Sequence, residues 1–333
     1  MKYNSINNVG VVIIGRNEGE RLRKCFRSLP KEITSVVYVD SDSSDGSVEL
    51  ALNNKVDVLE LDLSVPFTAA RARNAGAYRL MELFKEVELI QFIDGDCQIF
   101  DDWFDSALNV MNNSHDVGAI SGRIKERDPG YSAFNRICDI EWRIQPNGEV
   151  KSFGGLVMIR TEVFKIAGGY NPVVIAAEDD ELSIRIRDSG FKIYRIKKLC
   201  ALHDANISKI RQWWKRAMRT GHGYIDVYML HRKNNEKYFQ REIKSLFFYG
   251  FIIPFFIAVS VFSQHRIFLA LVILYPLLFL KIVCSMRNKG YSLADRFLWA
   301  LSCVVSKFPQ FVGVLKYFSA RLRKNSFCII EHK

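Results

Sequence analysis

Cysteine pairing is the first thing missing from this sequence. The seven cysteines are odd in number, scattered over positions 25, 97, 138, 200, 284, 303 and 328, and never spaced C-x-x-C. That argues against a disulfide framework and a thiolate zinc site, and for a reducing compartment. No charged-then-apolar leader opens the chain, so no signal peptide is expected. No RNA- or DNA-binding motif occurs, so nucleic acid is not an expected partner despite a net charge of +11. Anionic lipid and phosphorylated substrates remain admissible, and the crowding of basic residues toward the C-terminal third favours a membrane surface. Repeats and low-complexity tracts are also absent. The first strand is not followed by a glycine-rich phosphate loop carrying a lysine; Gly15-Arg16-Asn17-Glu18-Gly19 is a poor match, which argues against a nucleotidyltransferase.

What is present is apolar. Of 333 residues, 49% are hydrophobic and 25% charged, which excludes disorder and is greasier than an ordinary soluble enzyme. The length exceeds one small core and implies a large domain with an appendage.

The stretch that organises the rest is Gln91-Phe92-Ile93-Asp94-Gly95-Asp96-Cys97. An apolar strand, Leu89 to Ile93, stops at two carboxylates separated by a glycine. On an extended chain residues i and i+2 point the same way, and Gly95 lets the backbone turn at little steric cost. Like charges held close are costly unless a cation lies between them. Hard carboxylate oxygens suit Mg²⁺ or Mn²⁺, which bind through one or two carboxylates plus substrate phosphates. Taken alone, the pair reads more simply as a strand-ending turn with solvated acids.

Around it, strands and helices alternate. Val9 to Ile14 is a β-branched run of the kind buried on both faces. A helix pattern through Leu22, Cys25, Phe26 and Leu29 stops at Pro30, and a second strand, Val36 to Val39, ends in Asp40-Ser41-Asp42-Ser43-Ser44-Asp45-Gly46. A helix from Ser47 to about Asn53, a strand from Val56 to Leu61, and a helix opening at Thr68 and running to about Lys85 complete the first half. This order predicts an α/β fold with a mainly parallel sheet and ligands at the carboxyl ends of the strands. Arg71 and Arg73 lie in the first turns of the Thr68 helix, where anions are favoured, although a solvated helix face accounts for them as well.

Four motifs in register, Asn17-Glu18, Val39-Asp40 with Ser44-Asp45-Gly46, Ala72-Arg73-Asn74, and Asp94-Gly95-Asp96, cover roughly the first 100 residues. In this order and spacing the chain resembles the family 2 glycosyltransferases, which have the GT-A fold and use nucleotide-diphospho-sugar donors. The resemblance implies that Asp40 binds the nucleobase and that Gly15, Arg16 and Glu18 line the nucleoside. The family's usual Pro-Thr-Tyr before Asn-Glu is Ile14-Gly15-Arg16 here, a departure that bears on those contacts. Arg73 would contact base or diphosphate. Asp94, with Gly95, would face the ribose side of the donor, and Asp94 and Asp96 would hold a divalent ion, Mn²⁺ or Mg²⁺. His203, which follows the strand Lys192 to Ile196 after a short connection, matches a histidine that some GT-A enzymes use as a further metal ligand; a lone histidine is more often structural.

Farther on, Gly154-Gly155 precedes a strand to Arg160, Phe164 to Tyr170 reads as a short helix, and Glu178-Asp179-Asp180-Glu181 opens a helix from Leu182 to Ser189. Acids at a helix N-terminus also complement the helix dipole. The resemblance assigns Asp179 as the catalytic base, taking the acceptor proton as the hydroxyl attacks the anomeric carbon; Glu178, Asp180 and Glu181 have weaker claims. Ile210 to Gly223, with Trp213, Trp214, Lys215, Arg216 and Arg219, reads either as an amphipathic core helix or as a helix at a membrane surface.

The expected domains are a catalytic domain over residues 1–230 and a membrane-associated region over 231–333, with residues 224–245 as the polar link. A helical hairpin is expected at 246–262 and 267–284, turning through Ser263-Gln264-His265-Arg266, and an amphipathic interfacial helix at 293–320, followed by Arg321-Leu322-Arg323-Lys324. Basic flanks on both outer sides of the hairpin place the catalytic domain on the cytoplasmic side of the inner membrane. The implied activity is inverting transfer of a sugar from a nucleotide-sugar, a UDP-sugar first, to a lipid-linked or surface-glycan acceptor near the membrane. Transfer to polyprenyl phosphate, or a non-catalytic nucleotide-sugar-binding scaffold, are the alternatives.

Overall fold

The computed structural model describes residues 5–62, 64–234, 236–262 and 266–323. The chain divides into two compact units, one of residues 1–128 and 141–205, the other of 129–140 and 206–333.

The first unit is built on β1 (Val9–Gly15), α1 (Glu20–Arg27), β2 (Val36–Asp40), α2 (Ser47–Asn53), β3 (Asp57–Glu60), α3 (Ala69–Leu83), β4 (Leu89–Asp94), β5 (Cys97–Ile99), α4 (Trp103–Asn113) and β6 (Val117–Glu126). After α5 (Ala133–Ile144), which crosses the division, come β7 (Gly148–Glu149), β8 (Val157–Arg160), α6 (Thr161–Ile166), α7 (Glu178–Asp188) and β9 (Lys192–His203). The strands form one sheet in the order β3-β2-β1-β4-β8-β6-β9-β5, with β7 on β9. From β3 to β4 every pairing is parallel, as the strand–helix alternation requires. Beyond β4 the sheet is mixed, because β8 enters antiparallel between β4 and β6 while β6 and β9 run parallel.

The central strands are buried on both sides, so their side chains feed two cores. Val9, Val11 and Ile13 of β1 pack with Leu22 and Phe26 of α1 and with Trp103, Phe104 and Met111 of α4. Val12 and Ile14 of the same strand pack with Ala72 and Leu80 of α3, Phe164 of α6 and Leu182 of α7. Alternation of the strand's side chains thus sandwiches the sheet between helices. Two buried polar side chains in these layers are fully engaged. Trp103 Nε1 donates to Gln91 Oε1 at 2.8 Å, and Arg160 donates to the carbonyls of Val117 at 2.8 Å and Met111 at 2.6 Å.

Several element boundaries differ from the sequence reading. His203 does not follow a short connection; β9 continues to it, carried by parallel pairing with β6 through Glu126↔His203. Helix α6 starts at Thr161, ahead of the expected Phe164, and α7 starts at Glu178 rather than Leu182, so the acidic residues form its first turn instead of preceding it.

The second unit contains α8 (Ile210–His231), α9 (Gln240–Phe247), α10 (Ile253–Phe262), α11 (Leu274–Ser285), α12 (Leu293–Val305) and α13 (Lys307–Leu322). The link expected at 224–245 shrinks to the segment between α8 and α9. The reason is apolar: Ile225 on α8 joins Ile243 and Leu246 of α9 and Val314 and Tyr317 of α13 in one cluster, so both helices extend into the polar stretch. A π turn over Phe248–Ile252 bridges α9 and α10 just ahead of Pro254, which lacks the N–H that regular helix geometry needs. The helix expected over 293–320 breaks at Ser306 for a similar reason. Pro309 falls in the first turn of α13, where a missing N–H is tolerated, and its ring would clash with the carbonyl four residues back in a continuous helix.

Three helical stretches are long and apolar enough to cross a membrane: Gln240–Phe262, Ile267–Ser285 and Leu293–Leu322. None of the most apolar part of Ile267–Ser285 is buried within the protein, and Phe255, Phe262, Ile267, Leu277 and Leu280 are exposed. An apolar face of this kind left uncovered is what a bilayer, rather than a soluble core, would cover. The hairpin turn Ser263-Gln264-His265 and Lys324 lie outside the described residues.

Candidate active site

The carboxyl ends of β1, β2 and β4 converge, and the loops that follow β1 and β2 are laced together. Asn17, at φ 55°, accepts from the Ser44 N–H at 2.8 Å through Oδ1, while its own N–H donates to Ser43 Oγ at 2.8 Å. Asn17 therefore builds the site rather than facing a ligand. Asp40, at the end of β2, is almost wholly buried; Tyr38 Oη donates to its Oδ1 at 2.8 Å and the Ser43 N–H to its Oδ2 at 2.7 Å. Arg16 lies 3.5 Å from Asp42 Oδ2 and over the Phe67 ring. Glu18 is buried and paired with Arg21 at 2.8 Å. Gly15 and Gly95 sit side by side: the Gly95 N–H donates to the Ile14 carbonyl at 2.8 Å, and a Cβ at Gly95 would meet Glu18 Cγ at 3.1 Å.

Helix α3 supplies the cation. Thr68 caps it, accepting from the Arg71 N–H at 3.0 Å. Arg71 turns back to brace the preceding loop through the carbonyls of Val65 and Asp62, at 2.6 and 2.8 Å. Arg73 points into the site and is 3% exposed. It donates to Asp94 Oδ1 and to Glu178 Oε1, both at 2.9 Å, and approaches Asp179 Oδ1 at 3.8 Å. Its neighbour Asn74 clamps the backbone of Tyr170 from both sides, at 2.7 and 2.8 Å, and the Arg73 guanidinium lies over the Tyr170 ring. Burial alone would lower the Arg73 pKa, but the surrounding carboxylates, Asp94 first, raise it well above its ordinary value.

Asp179 faces that cation from α7. Its Oδ2 accepts from the Gly155 N–H at 2.7 Å, while Oδ1 is buried without a hydrogen-bond partner. The Gly154-Gly155 turn, at φ 64° and 71°, is what presents this N–H. Burial raises the Asp179 pKa from 3.8 to about 7, opposed by the Arg73 charge and reinforced by Glu178. Ala177, immediately before α7, is held at φ 61°, a left-handed conformation that costs a non-glycine residue about 1 kcal/mol. Such strain is common where a side chain is aimed for function.

On the far side of Asp94, the Asp96 carboxylate is buried, with Oδ2 3.8 Å from His203 Nε2. The other imidazole nitrogen, Nδ1, is hydrogen-bonded with Glu126 Oε1, and Trp142 lies edge-on to the imidazole at 5.5 Å between ring centroids. Two carboxylates and an imidazole suit Mg²⁺ or Mn²⁺ in donor chemistry. Among the described residues, no three His, Cys, Asp or Glu side chains close into a cage. An ion here would complete its coordination with substrate phosphate and water, the ordinary mode for Mg²⁺ in phosphate sites.

Of the predicted residues, Gly15, Arg16, Glu18, Asp40, Asp94, Gly95, Asp96 and His203 lie at the carboxyl ends of the sheet or in the adjoining turns, while Arg73 stands on α3 and Asp179 on α7. Three others were not singled out by sequence for the roles they have. The sequence favours Asp179 over Glu178, yet Glu178 holds Arg73. Glu126 and Trp142 lie in a stretch without a recognisable motif; the sole signal was an acid at the end of an apolar strand.

A family model described as Glycosyl transferase family 2 matches residues 10–166. No curated protein matches the sequence significantly. Among solved structures, the mannosyltransferase PcManGT from Pyrobaculum calidifontis, in complex with GDP-Man and Mn²⁺, is 15% identical; the match covers 97% of this chain and 88% of that one at a TM-score of 0.53. TarS from S. aureus is 15% identical over 69% of this chain, at a TM-score of 0.46, and the chain spans 40% of that protein's length. Glucosyl-3-phosphoglycerate synthase from Mycobacterium tuberculosis is 14% identical over 66% of this chain and 79% of that one, at a TM-score of 0.45. The first of these similarities establishes a GT-A-like fold, and the segment that matches the family 2 model, residues 10–166, contains Asp40, Arg73, Asp94 and Asp96 and supports a glycosyltransferase.

Proposed function

We propose that the chain is an inverting transferase that moves a sugar from a nucleotide-diphospho-sugar to a hydroxyl of a membrane-proximal acceptor, a lipid-linked or surface glycan. The observation that carries this reading is Asp179. It is a buried carboxylate whose pKa is raised to about 7, with one oxygen fixed by Gly155 and the other without a hydrogen-bond partner. A general base works best when its pKa lies near the working pH. As the acceptor oxygen bonds to the anomeric carbon, its proton passes to Asp179, and the bond to the diphosphate breaks with its electron pair on the leaving nucleoside diphosphate.

Gly15, Arg16, Glu18, Asp40 and Gly95 line the nucleoside, and Arg73 exchanges a carboxylate for the diphosphate. Asp94, Asp96 and His203 hold a divalent ion, Mn²⁺ or Mg²⁺, whose contribution is to neutralise charge on the departing diphosphate. A UDP-sugar is the first candidate donor, and GDP-sugars belong in any test because the P. calidifontis relative was solved with GDP-Man. Residues 1–230 form the catalytic domain and 231–333 the membrane region in this reading. Arg232, Lys233, Lys237, Arg241 and Lys244 before the hairpin, with Arg287 and Lys289 after it, support a catalytic domain on the cytoplasmic face of the inner membrane.

The test is nucleotide release by the detergent-purified chain across UDP-, GDP- and dTDP-sugars, with Mn²⁺, Mg²⁺ or EDTA and membrane lipid extract as acceptor. Metal-dependent release from one donor, reduced at least about 10²-fold in Asp179→Asn, is expected. Substantial activity in that variant would instead indicate an acceptor already anionic, such as polyprenyl phosphate. Donor binding without turnover under every condition would leave a nucleotide-sugar-binding scaffold.

A further inference from the structure

We infer that Glu126 is a positioning residue that orients the His203 imidazole toward the divalent ion; this rests on the metal-assisted reading of the site. Glu126 is fully buried at the end of β6, directly across from His203 in the β6–β9 ladder. Its carboxylate receives hydrogen bonds from two fixed donors. Trp142 Nε1 donates to Oε1 at 3.0 Å, and the Ala205 N–H donates to Oε2 at 3.1 Å. Neither donor can turn into an acceptor, so both oxygens are held in place as acceptors, and Oε1 meets His203 Nδ1. With Glu126 ionised that oxygen can only accept, which assigns the hydrogen to Nδ1. The neutral ring then has its lone pair on Nε2, the nitrogen directed at Asp96.

The arrangement is carboxylate, histidine, then ion site. In metal centres such an outer carboxylate fixes the tautomer and raises the basicity of the ligating nitrogen, and its loss ordinarily weakens metal affinity about 10–100-fold. Trp142 adds a second restraint, since its N–H holds Glu126 while its ring lies against the imidazole edge. A purely structural account would explain a buried, satisfied Glu126. It does not explain why the acceptor oxygen falls on the imidazole nitrogen remote from Asp96.

The variant that separates the two accounts is Glu126→Gln. The amide keeps the shape but has a single acceptor oxygen for the two fixed donors, and it no longer enforces Nδ1–H. Mn²⁺ binding to the detergent-solubilised full chain, read as loss of the free-ion electron paramagnetic resonance signal, is measured with UDP and, in parallel, GDP. Thermal midpoints without metal are recorded for every variant. The expected result is Mn²⁺ affinity 10–100-fold weaker in Glu126→Gln, weaker by a smaller factor in Trp142→Phe, and no further loss when Glu126→Gln is added to His203→Ala. Mn²⁺ affinity unchanged in Glu126→Gln, or equally reduced with and without His203, overturns the inference while leaving the metal-assisted reading in place. Should the wild-type chain bind no Mn²⁺ with either nucleotide, the metal-assisted reading fails and the inference with it. A lower metal-free midpoint with normal Mn²⁺ affinity likewise assigns Glu126 to the scaffold alone.

Discussion

Arg73 Nη2 and Asp94 Oδ1 meet at 2.9 Å, joining the second turn of α3 to the end of the central strand β4. The same guanidinium holds Glu178 at 2.9 Å and approaches Asp179 at 3.8 Å. One buried cation thus faces three carboxylates of the candidate site. Replacing it by a neutral side chain leaves those charges in a poorly solvated place, and breaking a buried pair from one side ordinarily costs about 3–5 kcal/mol.

For Arg73→Gln this predicts two separable effects. The thermal midpoint of the detergent-solubilised protein falls by several degrees. Because the Arg73 charge lowers the Asp179 pKa, its removal also moves the acidic limb of the pH–activity profile upward from about 7. Arg73→Lys keeps the charge without the two-pronged geometry, so the shift in the limb should be small while donor binding still suffers. A pH limb that does not move in Arg73→Gln would show that Asp179 is not the group being titrated.

The raised Asp179 pKa makes a prediction about stability as well. In the native state the carboxyl titrates near 7, and in the unfolded chain near 3.8. Between those values the native state binds the extra proton, so this group's contribution to stability is fully present below about pH 4 and is lost as pH rises to about 7. Asp179→Asn has no proton to lose. It should melt higher than the wild type at pH 8, by an amount on the order of 1 kcal/mol or more, and about equally at pH 4. The same variant should lose transfer activity, as expected where a functional group is kept at the expense of stability. Paired melting curves at the two pH values check the sign.

Much of this site was legible because it is written in short segments. The strands were apolar runs of the right length, Thr68 capped its helix where a threonine before an Ala-rich turn should, and Asp94 and Asp96 stood at a strand end. What escaped was long-range. Nothing local marks Glu178 as the partner of a residue 105 positions earlier, or Glu126 as the partner of His203, 77 positions later. The apolar pattern of strand β9 is interrupted by Lys197 and Lys198 after Ile196; pairing with β6 carries the strand across them to the buried Cys200 and Ala201. In the C-terminal part, polar residues concealed continuous helix because one face alone is buried, as Ile225 and Ile243 show.

Asp96 gives a third prediction. It is 3% exposed, a position where an unneutralised carboxylate is costly, and it lies between β4 and the His203 imidazole. Asp96→Asn removes charge without changing shape. Metal-dependent nucleotide release should drop by about 10²-fold or more, and raising Mn²⁺ should recover only part of it. The metal-free thermal midpoint should hold or rise. Full recovery at high Mn²⁺ would reduce Asp96 to a minor contributor to ion binding.

The last prediction concerns the second unit, where α8 and α13 approach more closely than side chains allow. Met218 faces Gly313, His222 meets Tyr317 with ring centroids 5.4 Å apart, and Asp226 lies 3.9 Å from Arg321. The two helices pack directly against each other along this stretch. The contact is possible because Gly221 and Gly313 have no side chain: a Cβ at Gly221 would fall on the Gln310 backbone, and one at Gly313 on the Met218 carbonyl. Backbone cannot swing aside as a flexible side chain can, so Gly221→Ala or Gly313→Ala must push the helices apart. The cost should sit at or above the upper end of the usual overpacking range of about 1–3 kcal/mol. His222, buried at this seam and with its pKa lowered to about 4 by burial, would be opened to water by the same separation. Both variants should lower the thermal midpoint in detergent and raise the His222 pKa toward 6.5, whereas Leu315→Ala, at an exposed position of α13, should do neither. An unchanged midpoint in both glycine variants would mean that the helices are not held this close in solution.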